Sequence, residues 1–313
     1  MAQRALPWIV AALLLAAPPL LTPYTHDLLL RIMVMAVFAL SLELLVGMTG
    51  LVSLGHAAFL GIGAYATVLL SPQYDPGQAV WLLLASAGIA ALYALFVGAL
   101  SLRTRGVYFI MVTLAFAQMA YFVFHDTPVG RGTDGIYLMA RPTAGVFDAE
   151  NRTHLYYLVA GTLVLTYALL ALLRRSRFGH ALAGIRVNEQ RMRAVGFATY
   201  AYKLAAFVLA GALAGVAGFL LAVKDGFVNP EMLSWHESGA VLLMIILGGI
   251  GHLRGAVLGA AAFVLLKELY ASPNWVGPLA EHWQLTLGLT IIVFVALLPK
   301  GLVGLPARLR GRR

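Results

Sequence analysis

Apolar runs separated by charged or Pro/Gly-rich breaks dominate the chain, and their lengths predict its elements. The runs are Leu6 to Leu21, Leu28 to Val46, Leu51 to Leu70, Ala79 to Leu100, Val107 to Phe124, Leu155 to Leu173, Ala201 to Val223, Gly239 to Ile250, Ala256 to Tyr270 and Gln284 to Leu298. A helix needs roughly 20 apolar residues to cross a bilayer, so the pattern predicts an all-α polytopic membrane protein with about ten transmembrane helices. The third, eighth and ninth runs are rich in Gly and Ala, which lets helices approach closely and also tolerates broken or re-entrant helices. Two breaks exceed a simple turn, at about residues 125–154 and 174–200. Gly130, Gly132, Gly135 and Pro142 argue against regular structure in the first.

The second break holds FGHALAGIRVNEQRMRAVG, from Phe178 to Gly196. Leu182, Ile185, Met192 and Val195 recur there at spacings of three and seven and share one helical face, with Arg186, Arg191 and Arg193 elsewhere. The spacing predicts one short amphipathic helix. These residues alone fit two readings: an interfacial helix whose arginines meet anionic lipid headgroups, or a docking surface for a partner.

Composition leaves no room for a soluble domain, so residues 1–313 form a single transmembrane domain. Hydrophobic residues make up 61% and charged residues 11% of the 313 positions, with a mean hydropathy of +0.86, against about 25% charged in soluble proteins. The net charge of +9 would suggest nucleic acid in a soluble protein; in a membrane chain its distribution matters instead, and no nucleic-acid partner is expected. Placing both termini inside puts 16 of the 22 basic residues on that side, leaving Arg31, Arg131, Arg141, Arg152, Lys224 and Lys267 elsewhere. All acidic residues but Glu43 and Glu189 then fall in or beside the opposite loops. The positive-inside rule makes the termini and the basic segment cytoplasmic. The first run resembles a signal peptide, but PPLLTPYTHD follows it without a small-x-small cleavage site, so a retained helix is expected.

Few polar groups lie at membrane depth. Glu43 sits three residues before the end of the second run, where it would face the bundle interior or pair with a base such as Arg103 or Arg105. Ser53, Gly55 and His56 form a polar interruption among small residues, suited to a non-helical turn or a structural hydrogen bond. Thr113 and Gln118 can bond across helices or line a path, and Lys267 beside Glu268 can snorkel to the interface. Without cysteine there are no disulfides or thiolate chemistry. No GxxxxGK[ST], HExxH or GxSxG occurs, so neither ATP hydrolysis nor simple protease or hydrolase activity is expected on this chain. No cofactor or metal is expected either.

Several blocks together resemble one family. GHALAGIRVNEQRMRAVG followed by YKLAAFVLAGALAGVAGFLLA is similar to the cytoplasmic loop of permease subunits of ATP-binding-cassette importers for branched-chain amino acids, a family related also to urea and amide permeases. GLVSLGHAAFLGIGAY at 50–65, GTDG at 132–135, NPEMLSW with LLMIILGGIGHLRGAVLGA within 229–260, and PKGLVGL at 299–305 resemble the same family, in order along nearly the whole chain. The resemblance implies a bacterial inner-membrane subunit whose short cytoplasmic coupling helix docks on an ATPase, with Gly179, Arg186, Asn188, Glu189 and Gly196 at the coupling-loop positions. Glu189-Gln190-Arg191 departs from the Glu-Ala-Ala of importer permeases at large. It also implies a homologous second permease, two ATP-binding subunits that hold ATP and Mg, and a substrate-binding protein, for which residues 125–154 are a landing surface. It places Ser53 and His56 near the translocation path, with Glu43, Thr113 and Gln118 as further candidates. The substrate it implies is a branched-chain amino acid, with urea or a short amide as the alternative. An ion-coupled secondary transporter is the rival class, and it would need ionisable groups near the midplane.

Overall fold

A computed structural model describes residues 22–304, except Gln73 and Val146. The first apolar run, Leu6 to Leu21, and the basic end from Pro306 lie outside the described residues. The remaining nine runs all fold as helices: α1 Pro23–Glu43, α2 His56–Leu70, α3 Ala79–Ser101, α4 Val107–Asp126, α5 Arg152–Arg175, α8 Thr199–Asp225, α9 Trp235–Gly248, α10 Leu253–Ala271 and α12 Trp283–Leu297. The basic segment supplies α6 Arg177–Val187 and α7 Glu189–Ala194, and α11 is the single turn Pro273–Val276.

Local chemistry sets the starts. Thr22 accepts the Thr25 N–H and Pro23 occupies the first turn of α1, where a missing N–H does no harm. Asn151 caps α5 by accepting the Thr153 N–H, and Ser176 caps α6 by accepting from Gly179.

Among the described residues, six helical stretches are long and apolar enough to cross a membrane, and α9 with α10 makes a seventh if counted as one span. This is a multi-pass membrane architecture in which, by length and apolarity, six or seven spans account for the nine described runs. The difference lies in the three Gly/Ala-rich runs. Residues 50–55 are irregular, leaving α2 with 15 residues, about 22 Å against a ~30 Å hydrocarbon core. Helices α9 and α10 meet at 116° across Gly249–His252.

Two helices form the centre. In α1 83% of the most apolar window is buried and in α8 78%, against 28%, 22% and 17% in α3, α4 and α12, which must therefore wrap the outside. Lipid tails are as apolar as leucine, so helices associate through close packing rather than hydrophobic expulsion. Gly211 lies against Ala94 of α3, Gly215 against Ala90 of α3 and Gly63 of α2, and Gly218 against the Leu60 carbonyl of α2. At the α9–α10 crossing Gly248 meets Gly255, and Gly259 meets the Met244 carbonyl. Buried hydroxyls add cross-links, such as Thr67 on α2 to Ser86 on α3 at 2.8 Å.

The loop at 125–154 carries more regular structure than its glycines suggest. Strand β1 Ile136–Tyr137 pairs antiparallel with β4 Phe227–Val228, and β2 Thr143–Ala144 with β3 Phe147–Asp148. Two-residue strands have no periodicity to read, and the partner of β1 lies some ninety positions on. Gly135, at φ +66°, lets the backbone pass the Val228 carbonyl.

Gly218→Val should lower the thermal midpoint of the detergent-purified protein, because its Cβ would meet the Leu60 carbonyl; overpacking of this kind costs about 1–3 kcal/mol. Gly161→Val, on α5 with open space around it, is the control and should change the midpoint far less.

Candidate functional site

The predicted single amphipathic helix is two helices. Asn188 adopts an extended conformation, φ −157°, and its side chain accepts the Arg191 N–H at 2.9 Å, ending α6 and capping α7. Leu182 and Ile185 are buried as the spacing predicts, but Met192 is half-buried against Gly184 and Val195 is 71% exposed at the end of α7. The break turns the stripe, so its second half does not follow the first. Gly179 packs under the Leu173 carbonyl, where a Cβ would not fit. Gly196 has open space but φ +94°, which favours glycine.

Glu189 fastens this segment to the central helix. Its Oε1 accepts from Arg193 at 2.6 Å and Lys203 at 2.9 Å, and from the Thr199 hydroxyl at 3.2 Å. Lys203 is 6% exposed in the second turn of α8, so it has given up most of its water. Burial opposes ionisation of Glu189, but the hydrogen bonds from Lys203 and Arg193, the Lys203 charge and the Thr199 hydroxyl together hold its carboxyl at about 2.

Arg186 fastens the same segment elsewhere. Its guanidinium donates to the Gly47 carbonyl, in the π-helical turn Leu44–Thr49 that closes α1. Terminal helix carbonyls lack an intrahelical partner, and a cation suits that end of a helix. The Arg186 chain runs past Gly50 and its guanidinium reaches the vicinity of Gly251, so α6, the end of α1 and the α9–α10 turn converge there.

Glu43 belongs to the same junction. Its Oε1 accepts the Gly251 N–H at 2.7 Å. It pairs with neither Arg103 nor Arg105: the π-turn and Gly47, whose Cβ would occupy the carboxylate's position, direct Glu43 to the α9–α10 turn. That turn requires Gly249 at φ +111° and Gly251 at φ +88°.

One step away lies a second junction. His56 opens α2 fully buried, with Nε2 2.7 Å from the Ser41 hydroxyl of α1 and its ring between Phe38 and Phe59. The next residue's N–H, Ala57, donates to Ser238 of α9 at 2.9 Å. Ser53 is buried and accepts the Gly55 N–H at 3.2 Å within the irregular stretch, and Gly55 packs on the Thr113 carbonyl of α4. Thr113 spends its hydroxyl on Ile110. Gln118 is half-buried on α4 and is not brought into either junction.

The fold therefore joins Arg186 with Glu43, and Ser53 and His56 with Thr113, while Glu189 forms a third site. Sequence reading missed Gly47, Ser41, Ser238, Thr199 and Lys203. A glycine following an intramembrane Glu by four positions is the only local signal among them. Among the described residues no group of His, Asp and Glu could hold a metal ion.

Glu43→Ala should strip the Gly251 N–H of its acceptor and destabilise the protein by about 1–3 kcal/mol, whereas Glu43→Gln, which keeps an accepting oxygen, should restore most of it; thermal unfolding in detergent compares the two. The Glu189 carboxyl titrates below its unfolded value of 4.5, so its contribution is complete above that value and is lost as pH falls towards 2. The stability difference between the protein and Glu189→Gln should be constant above about pH 5, on the order of 1–3 kcal/mol, and shrink below it.

The family model for the permease component of branched-chain amino acid transport systems matches residues 24–296. The high-affinity branched-chain amino acid transport system permease protein LivM of Escherichia coli K12 is 32% identical across 95% of this chain and 74% of its own length. The permease protein LivH of the same strain's system is 22% identical over 87% of this chain and 91% of its own. The autoinducer 2 import system permease protein LsrC of Escherichia coli O157:H7 is 33% identical over 32% of this chain and 30% of its own. No solved structure matches. The chain belongs to the branched-chain amino acid transport permease family.

Proposed function

We propose that the chain is the membrane-spanning permease subunit of an ATP-binding-cassette importer, moving branched-chain amino acids inward by alternating access driven by separate ATPase subunits. The observation that carries this is the likeness to LivM along nearly the whole chain, including the helices that hold both junctions. LivM and LivH, both similar to this chain, are two permeases of a branched-chain amino acid system, which supports pairing with a homologous second permease. A substrate-binding protein on the outer face and two ATP-binding subunits with ATP and Mg complete the assembly.

On this reading the basic end faces the cytoplasm, as its charge distribution favours, with both termini there in a bacterial inner membrane. Helices α6 and α7 are the coupling element that meets the ATPase. Their attachments suit that role: Glu189 ties α7 to Lys203 of α8, and Arg186 ties α6 to the end of α1. Displacing α6 and α7 would move the two central helices and the α9–α10 turn together, because packed helices shift between discrete arrangements rather than bending. Gly179 and Asn188 shape the element, and Gly196 lets the chain leave it towards α8. Glu43, Ser53, His56 and Thr113 serve the pathway by holding its broken helices in place, and Gln118 is the half-buried amide on α4. Chemistry on this chain is confined to binding and movement.

The assembled complex in proteoliposomes should accumulate labelled leucine in an ATP-dependent way and not labelled urea; uptake of urea alone would assign the amide branch, and uptake without the ATPase would assign a secondary transporter. Arg186→Ala should retain ATP hydrolysis while reducing leucine uptake by roughly tenfold or more, as expected when a charged hydrogen bond to a buried carbonyl is lost. Equal loss of both would place Arg186 in assembly instead of coupling.

A further inference from the structure

At the end of the bundle away from the Arg186 junction lies a recess of about 440 Å³ that neither junction uses. Arg31 of α1 and Lys267 of α10 line it, with Glu231, from the turn before α9, and Glu237, in the first turn of α9. Arg31 precedes Glu43 by twelve residues, about 18 Å along α1. The floor is apolar and includes Met35, Met244 and Phe263, all buried. Cations and carboxylates thus come from separate elements and balance in number.

Their partners orient these charges without neutralising them. Lys267 lies 5.1 Å from the centre of the Trp283 ring, and Glu231 accepts from the Tyr121 hydroxyl at 3.2 Å. Among the described residues, Arg31 and Glu237 make no side-chain hydrogen bond, and no ion pair within 4.0 Å joins the recess's cations to its carboxylates. Elsewhere the protein pairs such groups closely, as Lys224 does with Asp225 at 2.7 Å. A cavity of this size lies within the ~300–1,000 Å³ of small-molecule sites, and here a polar rim that also includes Ser234, His236 and Gln284 stands over the apolar floor.

Resting on the reading of the chain as an amino-acid permease, we propose that this recess receives an α-amino acid as its zwitterion, the carboxylate at Arg31 and Lys267 and the ammonium at Glu237 and Glu231. An aliphatic side chain then lies on Met35, Met244 and Phe263. Both charged ends are needed to match both signs, so the recess selects against a neutral amide such as urea and against an aliphatic acid or amine of the same shape.

The chain has no cysteine, so Ala240→Cys, on the recess wall, is its only thiol and reports occupancy directly. In the assembled complex, leucine should slow maleimide labelling of that position on this chain by roughly threefold or more, while urea, 4-methylpentanoate and isopentylamine leave it unchanged. Arg31→Gln and Glu237→Gln should each abolish the protection and raise the KM for leucine uptake roughly tenfold. Arg31→Lys, which keeps the charge, should recover part of it, separating a binding role from a folding defect. Labelling indifferent to leucine in a complex that still imports leucine would overturn the recess as its site and leave the permease reading standing. So would a thiol that labels in the isolated chain and not in the complex, since the second permease would then fill the recess. A complex that imports no leucine under any condition overturns the permease reading itself.

Discussion

A backbone N–H or carbonyl left unpaired in hydrocarbon costs several kcal/mol, so a membrane helix can be interrupted only where the protein supplies the missing partner. Among the described residues, three helix ends at such interruptions receive a partner from a side chain distant in sequence. Ser238 accepts the Ala57 N–H at the start of α2, Glu43 accepts the Gly251 N–H in the α9–α10 turn, and Arg186 serves the Gly47 carbonyl at the end of α1. Each repair ties one break to another element. The breaks and their partners therefore stand or fall as a set.

That interdependence gives the basic segment its mechanical standing. A segment resting on lipid would need only exposed arginines. Instead Arg186 reaches into the junction of α1 with the α9–α10 turn, and Glu189 sits on a buried lysine of the central helix α8. Of the three arginines between Phe178 and Gly196, Arg186 and Arg193 are engaged within the chain. The segment α6 and α7 is thus attached to the bundle at two points, one through a carbonyl and one through an ion pair.

Close packing holds the bundle itself together. Where Gly63 faces Gly215 and Gly218 meets the Leu60 carbonyl, backbones touch without intervening side chains, and little compliance separates α2 from α8. The peripheral helices α3, α4 and α12 keep large apolar faces outward, as lipid or another subunit allows. The polar recess between α1, α9 and α10 is then the exception, with charge exposed beside buried methionines.

Hydropathy located nine of the described helices to within about five residues at each end, because a lipid-facing apolar segment must satisfy its backbone internally; α6, α7 and α11 lie outside the apolar runs. Gly and Ala content marked the three runs that do not cross simply, and the blocks around the basic segment identified the family. The same periodicity misread that segment as one helix, since a single Asn188 capping α7 outweighs a stripe of four apolar residues. What only the tertiary structure decided is who partners whom: Glu43 with Gly251, 208 positions away, Arg186 with Gly47, 139 away, and Glu189 with Lys203, 14 away. Sequence carries the period of a helix, which is local, whereas hydrogen-bond satisfaction at a break depends on which strangers the fold brings within 3 Å.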